Sequence, residues 1–104
     1  MKTVITASAP DVDSNMDPRF GRGAYFCLYN DENQQITFVK NKFKDAQGGA
    51  GTKVSEMILS MGVTRVISGD FGPKAKEMLD KFKVQLVKMQ DDQKTIKDII
   101  SSLA

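Results

Sequence analysis

Histidine and tryptophan are absent from this 104-residue chain, and it has a single cysteine, Cys27. Without imidazole, the commonest general base and the usual zinc, copper and haem ligands are missing. One thiol excludes an intrachain disulfide. No segment approaches the roughly 20 apolar residues of a membrane-spanning helix. The run from Met1 to Ser8 carries one lysine and a broken apolar stretch, too short for a signal-peptide core. Charge of neither sign dominates: 15 basic residues against 13 acidic ones leave +2, with lysines interleaved among acids, so bulk electrostatics do not draw the chain to nucleic acid. These exclusions predict one soluble, cytoplasmic domain over residues 1–104, with no membrane and no nucleic-acid partner.

The composition is that of a globular domain, with 40% apolar and 27% charged residues. Residues 3–8 and 24–29 have the β-branched and aromatic enrichment of strands, and residues 36–39 continue the pattern after the turn Asn30-Asp31-Glu32-Asn33. Helical spacing follows in three sets: Val54, Met57, Ile58, Met61; Ala75, Met78, Leu79, Phe82; and Ile96, Ile99, Ile100, Leu103. Thr52 is the expected cap of the first helix and Gly62 its stop. Pro73 suits the first position of the second, and Asp91 or Asp92 is the expected cap of the third. Residues 64–68 and 83–87 read as short strands between the helices. The order βββαβαβα predicts a three-layer α/β/α domain around a mixed five-stranded sheet, in spatial order 3-2-1-4-5 with the second strand antiparallel. Ligands of such sheets bind beyond the carboxyl ends of the parallel strands where the order reverses. That crevice would receive residues 9–23 and Gly69-Asp70-Phe71-Gly72, with loop 41–51 as a further wall.

Asp17-Pro18-Arg19-Phe20-Gly21-Arg22-Gly23 sets two cations and two glycines directly before a strand. Glycines admit close backbone approach, and arginines supply fork-shaped donors for anions; the plain alternative is a solvent-facing turn with Phe20 packed on the sheet edge. Gly48-Gly49-Ala50-Gly51 runs into a helix start, where free N–H groups and the helix dipole favour negative charge. A nucleotide phosphate loop is rejected, because Ala46 stands where its first glycine belongs and Thr52 precedes Lys53 instead of following it. Asp11, Asp13, Asn15 and Asp17 imitate a calcium loop, but Met16 replaces its glycine and Arg22 its bidentate glutamate. Cys27 falls on one strand face with Tyr25 and Tyr29 and reads as a small core residue. Met57, Met61 and Met78 sit on the helical stripes; Met16 is placed in the loop, where its thioether would touch a ligand.

The order of Asp17-Pro18-Arg19-Phe20-Gly21-Arg22-Gly23-Ala24-Tyr25-Phe26, Gly48-Gly49-Ala50-Gly51, Gly62-Val63-Thr64-Arg65-Val66-Ile67-Ser68-Gly69 and Phe71-Gly72-Pro73-Lys74-Ala75 resembles the dinitrogenase iron-molybdenum cofactor biosynthesis family. This is the NifX/NifY-type domain also found at the carboxyl end of NifB. The resemblance spans nearly the whole chain. It implies a ribonuclease H-like fold and the binding or carrying of iron-sulfur or molybdenum-containing clusters, held non-covalently. A cluster donor or acceptor protein is the expected partner, and a monomer or weak dimer the expected state. Many members carry a histidine before the Phe-Gly of the first loop and another before the glycine-rich loop; Arg19 and Gln47 stand there in this chain. The remaining route is charge complementarity, with an anionic metallocluster against Arg19, Arg22 and the amides of Gly21, Gly23, Gly49 and Gly51. Met16, Phe20, Gln47 and Gly48 complete the expected contacts.

The resulting expectation is a non-enzymatic carrier or scaffold. No acid–base constellation supports a hydrolase, and no carboxylates gather on the first strand for two-metal chemistry. The alternative is a regulatory or interaction module that binds a protein partner or a small phosphorylated metabolite through the same face.

Overall fold

The computed structural model describes residues 1–90 and 93–103. It contains β1 (Lys2–Ala7), β2 (Tyr25–Asn30), β3 (Gln35–Lys40), α1 (Ala50–Ser60), β4 (Arg65–Ser68), α2 (Pro73–Lys81), β5 (Gln85–Lys88) and α3 (Ile96–Leu103). The strands form one sheet in the order β3-β2-β1-β4-β5, as expected. β1 pairs antiparallel with β2, Ile5 opposite Cys27, and parallel with β4, Ile5 opposite Ile67.

Central β1 is buried on both faces, which its apolar run requires. Val4 faces a core with Phe20, Phe26, Val54, Ile58, Val66 and Leu79, beneath α1 and α2. Ile5 and Ala7 face the other core, with Met16, Cys27, Ile67, Ile96 and Ile99, beneath α3. The period-two alternation of a strand thus separates two apolar layers, and the domain has the predicted α/β/α layering.

Several boundaries differ from expectation. α1 begins at Ala50, and its cap is Gly49 at φ 69°, with no side-chain capping bond. Thr52 lies inside the first turn because the left-handed glycine, not a hydroxyl, turns the chain into the helix. Gly62, at φ 75°, does end α1. Pro73 opens α2 as predicted. The expected strand over 83–87 starts later, because Lys83 adopts φ 62° and its N–H bonds the Asp80 carbonyl to close α2. Phe82 therefore leaves the buried stripe and is 60% exposed. The expected caps Asp91 and Asp92 lie outside the described residues. Thr95 fills that role: its Oγ1 accepts from the Asp98 N–H at 3.1 Å, and Asp98 Oδ2 accepts from the Thr95 N–H at 3.4 Å.

Candidate functional site

The loop after β1 folds back over the carboxyl ends of β1 and β4. The Thr6 hydroxyl bonds the Asp17 carbonyl oxygen and lies 2.9 Å from the Ser68 hydroxyl. The Phe20 N–H reaches the Asp70 carbonyl at 3.1 Å. Asp17 organises the turn from Arg19 to Ala24. Its Oδ1 accepts from the backbone N–H and Nε of Arg19 at 3.0 and 3.2 Å, and its Oδ2 accepts from Arg19 Nη2 and the Ala24 N–H, both at 3.2 Å. Asp17 is 6% exposed and the Arg19 side chain 62%. An ion pair with one arm so exposed is worth about 1 kcal/mol or less, so the Asp17 carboxylate matters more as the acceptor for two backbone N–H groups. Its hydrogen bonds, reinforced by its charge, hold the Arg19 guanidinium above its already high ordinary value.

Two further side chains lock this loop to the next. Asn41, 3% exposed, donates from Nδ2 to the carbonyls of Gly21 and Gly23 at 2.9 and 2.8 Å. Arg22 donates from Nη1 to the carbonyls of Lys44 and Ala46 at 2.9 and 2.8 Å. Those acceptors are neutral, and among the described residues no carboxylate pairs with Arg22, whereas Asp17 offsets the charge of Arg19.

The glycines serve two separate purposes. A Cβ on Gly21 would stand 2.8 Å from the Gly51 backbone nitrogen, so this glycine lets the loop rest directly on the start of α1. Gly48 and Gly49, at φ 92° and 69°, have open space around them and supply the left-handed turn.

These contacts enclose a cavity of about 500 Å3 between the Arg19 to Arg22 loop and the starts of α1 and α2. Its size is ordinary for a small-ligand site. Phe71 and Phe20, ring centroids 5.5 Å apart, stand at its wall. Both helices point their amino ends at it, with Gly49, Ala50, Gly51 and Thr52 on one side and Gly72, Pro73, Lys74 and Ala75 on the other. Neither start has a side-chain cap. Among the described residues no hydrogen bond takes up the N–H of Ala50, Gly51, Thr52, Lys74 or Ala75. Cations at the rim are Arg19, Arg22 and Lys74, against one carboxylate, Asp70, which accepts from the Gly72 N–H at 3.2 Å.

Of the residues expected at the site, Arg19, Phe20, Gly21, Arg22, Gly49 and Gly51 line the cavity. Met16 does not: it is 2% exposed, bridged to Ala7 in the core under α3, because its backbone pairs with the end of β1 and turns the thioether inward. Gly23 is packed against Arg19, whose carbonyl oxygen would stand 2.7 Å from an added Cβ. Gln47 and Gly48 are exposed and lie outside the lining. Sequence reasoning missed Asp17 as the organiser and Asn41 as the clamp. Both accept from the N–H two residues on, at Arg19 and Phe43, the local turn that short polar side chains make. Lys74 was also missed as a rim cation.

The donor set fits ligand recognition by hydrogen bonds and charge rather than direct metal coordination. Among the described residues no group of three or more His, Cys, Asp or Glu is placed to hold a metal ion. Cys27 is fully buried on the α3 face of the sheet, and burial pushes its thiol up to about 12. No helix among the described residues is long and apolar enough to cross a membrane.

The family model "Dinitrogenase iron-molybdenum cofactor" matches residues 1–104. The chain belongs to this family. A relative from Methanocaldococcus jannaschii, an uncharacterised protein, is 28% identical over 92 residues, covering 85% of this chain and 78% of that protein. The solved structure of a Thermotoga protein, described as "a putative NifB protein", is 28% identical and superposes with a TM-score of 0.82, over 98% of this chain and 85% of that one. The apo orange protein of Desulfovibrio gigas shares the fold, with a TM-score of 0.90 at 24% identity over 98% of this chain and 85% of its own. In this member of the dinitrogenase iron-molybdenum cofactor family, the cavity is lined by two arginines, two phenylalanines, Asp70 and the glycine-rich starts of two helices.

Proposed function

We propose that this chain carries an anionic metallosulfur cluster, of the iron-sulfur or molybdenum-containing class, non-covalently in the cavity between the Arg19 to Arg22 loop and the starts of α1 and α2. The cluster is cargo, and the protein is a scaffold without a catalytic role. One observation carries the reading: two uncapped helix starts aim their free N–H groups at one cavity rimmed by Arg22 and Lys74. Family membership supplies the class of cargo. The sulfides of such a cluster accept hydrogen bonds, and backbone N–H groups fixed by a folded scaffold donate them without further ordering. Arg19 contributes a guanidinium already balanced by Asp17, so Arg22 and Lys74 supply most of the net charge. Contacts of this kind let go without breaking a coordinate bond, which suits transfer to an acceptor protein.

The test is anaerobic incubation of the protein with tetrathiomolybdate, or with ferrous iron and sulfide, followed by desalting. Visible absorption and elemental analysis then read what is retained. Stoichiometric metal with a sulfide-to-metal charge-transfer band is expected, weakening as salt screens the contacts. The double variant Arg22→Ala, Lys74→Ala should retain about tenfold less at equal loading. Unaltered retention in that variant and in Arg19→Ala, Arg22→Ala would overturn the reading. Affinity for inorganic phosphate without retention of either metal preparation would favour the regulatory module, since phosphate uses the same helix starts.

A further inference from the structure

A second cavity, of about 350 Å3, lies across the Asp70 to Pro73 turn from the first, between α2 and β5. Phe71, Pro73 and Leu86 give it an apolar floor, Lys76 and Lys88 stand at its rim, and its one carboxylate, Asp70, lies at the shared turn, where it accepts from the Gly72 N–H. Its outer boundary is a sheet edge. β5 is the last strand in the order, and among the described residues no strand flanks its free side.

The hydrogen-bond phase of β5 determines which backbone groups face outward. Gln85 and Met89 donate their N–H groups inward, to the carbonyls of Thr64 and Ser68 at 2.9 Å each. In a parallel pair the residues that bond the neighbour alternate with residues that face away. Leu86 and Lys88 therefore turn both N–H and C=O to the open edge. They are also the β5 residues whose side chains line the cavity. Free strand donors and acceptors thus lie directly beside an apolar groove floored by a helix and a strand, the arrangement that accepts an added strand with a side chain in the groove.

The charge of this region selects the occupant. The stretch from Lys81 to Lys88 holds three lysines and no acid: Lys81, Lys83 and Lys88. Lys76 shares its charge with Asp80 at 3.4 Å, while Lys88 is exposed at the carboxyl end of the strand.

We propose that the β5 edge and the groove under α2 form a docking site for an extended segment of a partner protein. Such a segment adds as a sixth strand beside β5, bonding Leu86 and Lys88. It carries an apolar side chain for the groove and an acidic one two residues away, on the same face, for Lys88. The site shares the Asp70 to Pro73 turn with the first cavity, so the partner would sit next to the anion pocket. The proposal does not depend on what that pocket holds.

The test uses the full chain and a fluorescein-labelled hexapeptide in which threonine alternates with valine, valine and glutamate, followed by fluorescence anisotropy. Its counterpart has lysine for glutamate. The acidic peptide should bind, with the lysine version about tenfold weaker or worse. Amide resonances of Leu86 and Lys88 should shift in the unaltered protein, and their exchange with solvent deuterium should slow. Lys88→Pro removes an outward N–H and leaves the β4 ladder intact, so it should lower affinity more than Lys88→Gln, which removes only charge. Arg22→Ala should bind the peptide normally. Equal binding of both peptides, no binding at millimolar concentration, shifts at the β3 edge instead of Leu86 and Lys88, or full affinity in a folded Lys88→Pro protein would each overturn the proposal.

Discussion

The start of α3 and the starts of α1 and α2 solve the same problem in opposite ways. A helix leaves its first N–H groups without intrahelical partners. At α3 they are provided for: the Ile96 and Lys97 N–H groups bond the carbonyls of Ser14 and Val12 at 2.9 and 2.8 Å, and Asp98 bonds Thr95. At α1 and α2 the caps are Gly49 and Gly72, which offer no side chain. The contrast teaches that this chain has the means to close a helix start and leaves two of them open on one cationic cavity. Open starts at random positions would be loose ends; two that converge are what the proposed cargo site requires.

The heaviest blow to that contrast removes the frame that brings the open starts together. Asp17→Ala deprives the Arg19 and Ala24 N–H groups of their acceptor, and a loss of about 3 kcal/mol is expected from urea unfolding. Arg19→Ala, on the exposed side of the same pair, should cost about 1 kcal/mol or less. Similar losses for the two would mean that the ion pair, not the backbone acceptor, holds the loop. Gly21→Ala tests the frame from the other side. Its Cβ would press on the Gly51 nitrogen, and a loss of about 2 kcal/mol with reduced cluster retention is expected.

The closed start is the next target. Thr95→Ala should cost about 1 kcal/mol, read as a lower urea midpoint with an unchanged slope. Cluster retention should be untouched, because α3 covers the opposite face of the sheet. A fall in retention would show that the two kinds of helix start are coupled, and the comparison would lose its force.

The layering and strand order were legible because they follow from periodicity: Val4 and Ile5 alternate across β1, and Val54 and Ile58 recur at helical spacing. The convergence of Arg19 to Arg22 with Gly49 and Gly51 was legible from topology, which brings loops after parallel strands to one end of the sheet. Met16 was misplaced for a tertiary reason. Nothing local shows that residues 12–16 run back beside Ala7 and the start of α3, where Met16 is buried. Asp17 was obscured by its acidic neighbours, which made a failed calcium loop out of what is a buried acceptor. Lys74 was hidden by distance along the chain, since only the approach of α2 to α1, Gly51 within 3.4 Å of Ala75 by an added Cβ, brings it to the rim.

A smaller change reverses the character of an open start. Thr52→Asp puts a carboxylate in the first turn of α1, where the dipole and free N–H groups favour it by about 0.5 kcal/mol. The variant should be slightly more stable and retain less cluster, because the protein now supplies its own anion. A gain in stability with undiminished retention would place the cargo away from α1.

Cys27 probes the closed side. Its thiol is fully buried under α3, and burial raises it to about 12. The folded state therefore keeps a proton that the unfolded chain releases above about pH 8.5. This contribution to stability is complete below that pH and is lost as pH rises toward 12. Iodoacetamide at about pH 8 should leave the native thiol unmodified by mass spectrometry over a period that fully labels the urea-unfolded protein, because reaction needs an accessible thiolate. Thr95→Ala should label faster than Asn41→Ala at matched stability, since local opening of α3 uncovers Cys27 whereas loosening the Gly21 and Gly23 carbonyls does not. Equal labelling rates would mean that the cavity side and the α3 side open as one unit, and that the difference between the helix starts is geometric without being independent in motion.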